Sequence, residues 1–166
     1  MQTAVMSPVA CAIIAQFDLH TRLFNNVLDG ISESEANTVL HPGTNNIKWL
    51  AGHLTSSRFG LKNLAGLDLK DPHAELFGHG HGFRPDREYP TIDEIRSLWE
   101  SISDPISAGL SRLPEETLNG PAPTRVPIGD DTFEGMLAFL LHHEAYHIGQ
   151  IGLLRRQLGK KPMAYK

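Results

Sequence analysis

Two histidines one helical turn apart, His143 and His147, carry the clearest chemical signal in the chain. They lie in the run His143-Glu144-Ala145-Tyr146-His147-Ile148-Gly149-Gln150, inside a stretch from Thr132 to Leu158 whose apolar residues recur with helical spacing. Imidazoles four positions apart project from one side of a helix, and that separation lets both reach a single metal ion. At roughly 100° per residue, Phe133, Met136, Leu140, His143, His147, Gln150, Ile151, Leu154 and Leu158 share one stripe, so the histidines are expected inside the core-facing surface. Two histidines do not close a site. Further ligands must come from elsewhere in the fold.

The same residues fit the H-E-x-x-H pattern of zinc peptidases, where the glutamate is the general base. After His147, however, the chain has no histidine, aspartate or glutamate, so the downstream third ligand of the usual peptidases is missing. Little strand-forming sequence exists on which a peptide would be laid out. The third ligand is therefore sought upstream. His53, in Trp49-Leu50-Ala51-Gly52-His53-Leu54, shares a helical face with Leu50, Leu54 and Ser57. Alone it reads as a core histidine with a satisfied partner; beside a pair that lacks a third nitrogen it becomes the favoured ligand. The remaining candidates are weaker. His20 reads as a hydrogen-bonded or surface residue, and His142 points about 100° away from His143. His73 and the glycine-flanked His79 and His81 read as a solvated loop rather than a second metal site or lid. The single cysteine, Cys11, excludes an internal disulfide and any cysteine-built site, and reads as a small core residue.

Four amphipathic segments must hold these side chains. The first opens at Ser7-Pro8, a cap followed by proline, and ends at Asp29-Gly30. A second starts near Asn45-Asn46 and is expected to run to Gly66. The third opens with a capping box at Thr91 and Glu94 and continues to Leu113, with Pro105 expected to kink it. The fourth begins at Asp131 or Thr132. Ile31 to Thr44 reads as a loop, and Pro114 to Asp130 as irregular chain with room for a short strand pair at Arg125-Val126 and Ile128. Leu67 to Pro90 is a connection of about 24 residues, long enough to let helices two and three run parallel. The expected architecture is all-α: one domain over residues 1–166, a four-helix bundle with a long crossover loop, its metal site built inward from facing helices.

The bulk numbers agree with that picture. A chain of 166 residues with 40% hydrophobic and 20% charged residues suits one soluble domain. A net charge of -4 with dispersed basic residues gives no electrostatic footprint for nucleic acid. No apolar run is long enough to cross a bilayer and no signal-peptide pattern opens the chain, so a cytoplasmic location is expected.

The segment Ile47-Lys48-Trp49-Leu50-Ala51-Gly52-His53-Leu54, taken with His143-x-x-x-His147-x-Gly149-Gln150 and the following Leu154-Arg155-Arg156, resembles the DinB superfamily over nearly the full length. That superfamily comprises metal-binding four-helix bundles and includes thiol-dependent S-transferase relatives. The resemblance implies His53, His143 and His147 as ligands of a divalent ion such as zinc or nickel, an up-down-down-up bundle, and a homodimer. Three neutral imidazoles leave coordination positions open, which marks a catalytic arrangement. There a bound water ionises nearer neutral pH, or a low-molecular-weight thiol binds as the thiolate nucleophile. Gln150 is placed either to hold that water or a substrate, or to hydrogen-bond across the bundle. Glu144 is placed to act as acid or base or, in the favoured reading, to pair with a neighbouring helix. Tyr146, next to the stripe, reads as packing. The function expected is that of a metal-dependent enzyme acting on a small molecule, in its specific form a thiol S-transferase. A metal-dependent hydrolase and a non-enzymatic metal-binding stress-response protein are the alternatives.

Overall fold

In the computed structural model, which describes residues 7–62, 66–78 and 80–165, the four long helices begin where a side chain can cap them. Ser7 accepts from the Ala10 amide at 3.0 Å, and Pro8 opens α1, Pro8–Leu28, where its missing N–H has no intrahelical partner to lose. A short α2, Glu33–Asn37, is held by reciprocal bonds between Ser32 and Glu35. Asn46 caps α3, Ile47–Phe59, by accepting from the Trp49 amide at 2.8 Å. The four-residue α4, Ala74–Phe77, lies in the crossover. Thr91 and Glu94 form the capping box of α5, Ile92–Leu110. After α6, Glu115–Asn119, Thr132 caps α7, Phe133–Gln157, by accepting from the Gly135 amide at 3.0 Å.

The protein is all-α: among the described residues there is no strand, only an isolated bridge between Pro121 and Thr132. The strand pair expected near Arg125 to Ile128 does not form. Three short helices occupy stretches that read as loops, and for α2 the capping signature Ser32-x-x-Glu35 stood in the sequence. Helix α3 stops at Phe59 rather than Gly66, because Leu61 turns into the core immediately afterwards. His79, named above, and residues 63–65 of the expected second helix lie outside the described residues. Pro105 sits inside α5 without ending it.

Each long helix borders two others: α1 packs on α7 and α5, and α3 packs on α5 and α7. The core is divided in two. One apolar cluster gathers Phe24, Val27, Leu50, Leu54, Ile95, Trp99, Ile148 and Ile151, with Phe24 and Trp99 stacked at 4.1 Å. The other gathers Ile13, Phe17, Phe59, Ile102, Ile106, Met136 and Leu137. Along every long helix the residues between the clusters include polar ones that are shielded from solvent: His20 on α1, Arg58 on α3, Ser103 on α5 and Glu144 on α7. The buried arc of α7 runs through Leu137, Leu141, Glu144, Ile148, Ile151 and Arg155. It is therefore offset from the expected stripe, and His143, His147 and Gln150 sit half-buried at its margin. The cause is Glu144, which occupies the centre of the arc because Arg58 and His20 satisfy its carboxylate.

Candidate metal centre

Helices α3 and α7 bring His53, His143 and His147 together, with one nitrogen from each lying within 4.8 Å of the others. Among the described residues this is the one such cluster of potential ligands. The Nε2 atoms of His53 and His143 are 3.1 Å apart, close to the roughly 3.3 Å edge of a tetrahedral site with metal–nitrogen bonds of about 2.0–2.1 Å. The imidazole planes meet edge to face, at 66° for His53 and His143, 84° for His53 and His147, and 78° for His143 and His147. All three residues are half-buried.

The outer hydrogen bonds fix which nitrogen faces inward. A carbonyl only accepts, so His53 Nδ1–H donates to the Phe77 carbonyl at 3.2 Å and leaves Nε2 with its lone pair. His147 Nδ1–H likewise donates to Gln150 Oε1 at 2.7 Å. Trp49 stacks flat on His53, centroids 4.8 Å apart and planes 6° apart, which restrains the ring further. The third ring differs: His143 Nδ1 is buried without a hydrogen-bond partner among the described residues. Two imidazole nitrogens facing each other at 3.1 Å require a proton or a cation between them. The donor set therefore fits a divalent ion in chemistry, in spacing and in the outer partners of two of its three ligands.

Burial keeps His143 and His147 neutral and so competent as ligands. His143 is lowered from 6.5 to about 4, chiefly by desolvation and then by repulsion from His147 and His53. His147 is lowered by burial, partly offset by its bond to Gln150. The folded state thus binds fewer protons than the unfolded chain between pH 6.5 and about 4. Stability of the metal-free protein is fully present above that window and lost as pH falls through it. Urea unfolding of chelator-treated protein across the window should show a steeper loss for wild type than for His143→Gln; parallel curves would refute a depressed His143.

The other sequence candidates are placed as follows. Gln150 bonds His147, so it orients a candidate ligand instead of bonding across the bundle. Glu144 is 2% exposed, and both of its oxygens are bonded, to Arg58 at 2.7 and 3.0 Å and to His20 Nδ1 at 3.0 Å. This is the favoured pairing with neighbouring helices, and it leaves the glutamate of the peptidase motif without a free oxygen. His20 is buried in that pairing, and His142 is exposed. Tyr146, expected to pack, is instead 56% exposed with its ring edge-on to His147 at 5.1 Å. Sequence reasoning missed Phe77, whose signal was an apolar pair, Leu76-Phe77, in a glycine-rich connection. A cavity of about 230 Å³ opens beside Gln150, lined by Leu50, Leu153, Leu154 and residues 43–45. A larger open groove of about 510 Å³ runs past Asp18, Arg22, Asp104 and Ser107; none of the three histidines lines either space, and the smaller one reaches the cluster through Gln150 alone.

Fold and site together define a helical protein with a three-histidine cluster suited to a divalent metal. The family model of the DinB superfamily matches residues 16–151, a span that includes His53, His143, His147 and Gln150, and the chain belongs to that superfamily. No curated protein matches it.

Proposed function

We propose that the protein is a metal-dependent enzyme of the thiol S-transferase type, holding zinc or nickel on His53, His143 and His147 and joining a low-molecular-weight thiol to a small electrophile. The observation that carries the metal-dependent part of this reading is the 3.1 Å approach of two imidazole Nε2 atoms beside a third half-buried histidine, while the choice of a thiol S-transferase rests on family resemblance. A divalent ion held there supplies Lewis acidity, which lowers the pKa of a thiol or a water. The chain's own part is positional. Phe77 and Gln150 fix two of the rings, burial keeps His143 and His147 unprotonated, and the cavity beside Gln150 gives room for a small uncharged group between leucines. Glu144 and Gln150 act in this reading through the ligands and their helices.

The same reading takes the long helices as an up-down-down-up bundle. Supporting it, His20 meets Glu144 and the Val27 carbonyl meets Arg155, so α1 and α7 ascend together. Asp18 meets Ser107 while Asn25 meets Glu100, so α1 and α5 oppose. It further takes the chain as a cytoplasmic homodimer with a small-molecule substrate and no nucleic-acid or membrane partner. The acidic net charge of -4 supports the absence of a nucleic-acid partner. Among the described residues no helix is long and apolar enough to cross a membrane. The dimer rests on family resemblance.

The test is turnover by zinc- or nickel-loaded protein of a panel of small electrophiles with and without a low-molecular-weight thiol, beside His53→Ala. Thiol-dependent turnover that drops to the uncatalysed background in the variant is expected. Turnover that needs no thiol would move the assignment to a hydrolase, and activity surviving in His53→Ala would remove the catalytic metal altogether.

A further inference from the structure

The crossover between α3 and α5 does more than span the molecule. Gly52, one residue before His53, is buried on α3, and a Cβ built there would meet the Phe77 ring at 2.1 Å (Cζ), 2.4 Å (Cε1) and 2.6 Å (Cε2). The ring edge therefore occupies space that any other residue at position 52 would fill. Phe77 is 2% exposed and stacks on Tyr89 at 5.4 Å; Tyr89 in turn stacks on Phe83 at 5.9 Å and accepts from the Arg84 amide at 2.9 Å through its hydroxyl. The start of the segment is tied separately to α3, because the Asp71 carboxylate accepts from Ser56 Oγ at 2.5 Å and from the His73 amide at 2.9 Å. The residue so held is the one whose carbonyl receives His53 Nδ1–H.

We propose that Phe77 is a positioning residue of the metal centre: lodged in the notch left by Gly52, it keeps its own carbonyl on His53 Nδ1 and so presents His53 Nε2 to the shared cation. The proposal rests on the three-histidine metal reading, but the notch itself is independent of any ion. The physical basis is that an imidazole ligand's second nitrogen needs a fixed acceptor to set its tautomer and orientation, and that losing such a partner weakens metal binding by about 10–100-fold. A methyl at position 52 must push the ring back, and the ring carries its backbone with it. A shorter side chain at position 77 would let the backbone return.

The experiment is titration of chelator-treated protein with cobalt(II) chloride, read by visible absorption, together with proton NMR of the His53 imidazole N–H in the metal-free state. Gly52→Ala is expected to keep its helical circular dichroism, to bind cobalt about 10–100-fold more weakly, and to lose the slowly exchanging His53 N–H signal. Gly52→Ala combined with Phe77→Leu should recover most of the affinity and the signal. Asp71→Ala loosens the same segment from outside the core, so it guards against a misfolded Gly52→Ala; about a tenfold loss of affinity is expected. Wild-type affinity in both single variants, or no recovery in the double variant, overturns the proposal. If wild type itself takes up no cobalt, the metal reading fails. An N–H signal that is protected in wild type and lost in Gly52→Ala would still show the clamp, and its insensitivity to Gly52→Ala would overturn it.

Discussion

Titrating chelator-treated wild-type protein with zinc should load one ion per chain and raise the melting temperature by roughly 10 °C, and His143→Ala should do neither. The magnitude follows from linkage. An ion present at about a thousand times its dissociation constant stabilises the folded state by about 4 kcal/mol, and each kcal/mol shifts the midpoint of a domain this size by about 2–4 °C. His143 is the informative position because its Nε2 lies 3.1 Å from that of His53 and its ring is 4.5 Å from that of His147. Removing it takes away one of the three nitrogens that could hold the ion. It also removes a buried nitrogen with no partner, so the metal-free variant should unfold close to the wild-type midpoint. A loss of zinc response is then a loss of the site rather than of the fold. Equal zinc response in both proteins, or none in wild type, ends the metal assignment.

Local signals made most of this architecture legible. Ser7-Pro8, Asn46, the Thr91 and Glu94 box and Thr132 start the long helices in the structure as they do in the sequence, because a cap is a contact between near neighbours. The His143 and His147 pair was legible for the same reason, and His53 became so once the pair needed a third nitrogen. Contacts across the chain left no such trace. Glu144 is paired with residues 124 and 86 positions away, and only those partners explain how a carboxylate takes the centre of the buried arc. The apolar pattern of α7 therefore placed the histidines too far inward. The apolar pair Leu76-Phe77 marked a buried point in the crossover but not its role, since the notch that Phe77 fills is an absence at Gly52 on another element.

Replacing Arg58 by methionine should destabilise the protein by about 3–5 kcal/mol, a large share of the roughly 5–15 kcal/mol that holds a domain folded. All five guanidinium N–H groups have acceptors. Nε and one Nη2 proton go to Glu144, at 2.7 and 3.0 Å; the other Nη2 proton goes to the Phe17 carbonyl at 2.9 Å. The two Nη1 protons go to Thr21 Oγ1 at 2.7 Å and Ser103 Oγ at 2.6 Å. The group also lies 3.7 Å over the Trp99 ring. One side chain thus joins all four long helices at the boundary between the two apolar clusters. Lysine keeps the charge but offers three donors to these acceptors, so Arg58→Lys should also destabilise.

The cost of Arg58→Met comes mostly from the Glu144 charge left behind, which the double variant Arg58→Met/Glu144→Leu tests. Removing both charges should lose less stability than removing Arg58 alone. Acid gives a second check. Burial alone would push the Glu144 carboxyl up, but the Arg58 charge and the bonds from His20 and Arg58 outweigh it and hold the carboxyl below its ordinary value. In wild type this contribution is present above the ordinary carboxylate range and is lost as pH falls through the lowered value. In Arg58→Met burial acts with far less opposition, so the carboxyl protonates earlier, and the gap between variant and wild type should narrow in acid. Denaturant melts of the three proteins at neutral and acidic pH measure all of this. A loss below about 1 kcal/mol for Arg58→Met, unchanged by pH, would mean that apolar packing alone sets the register in which α3 and α7 present their histidines.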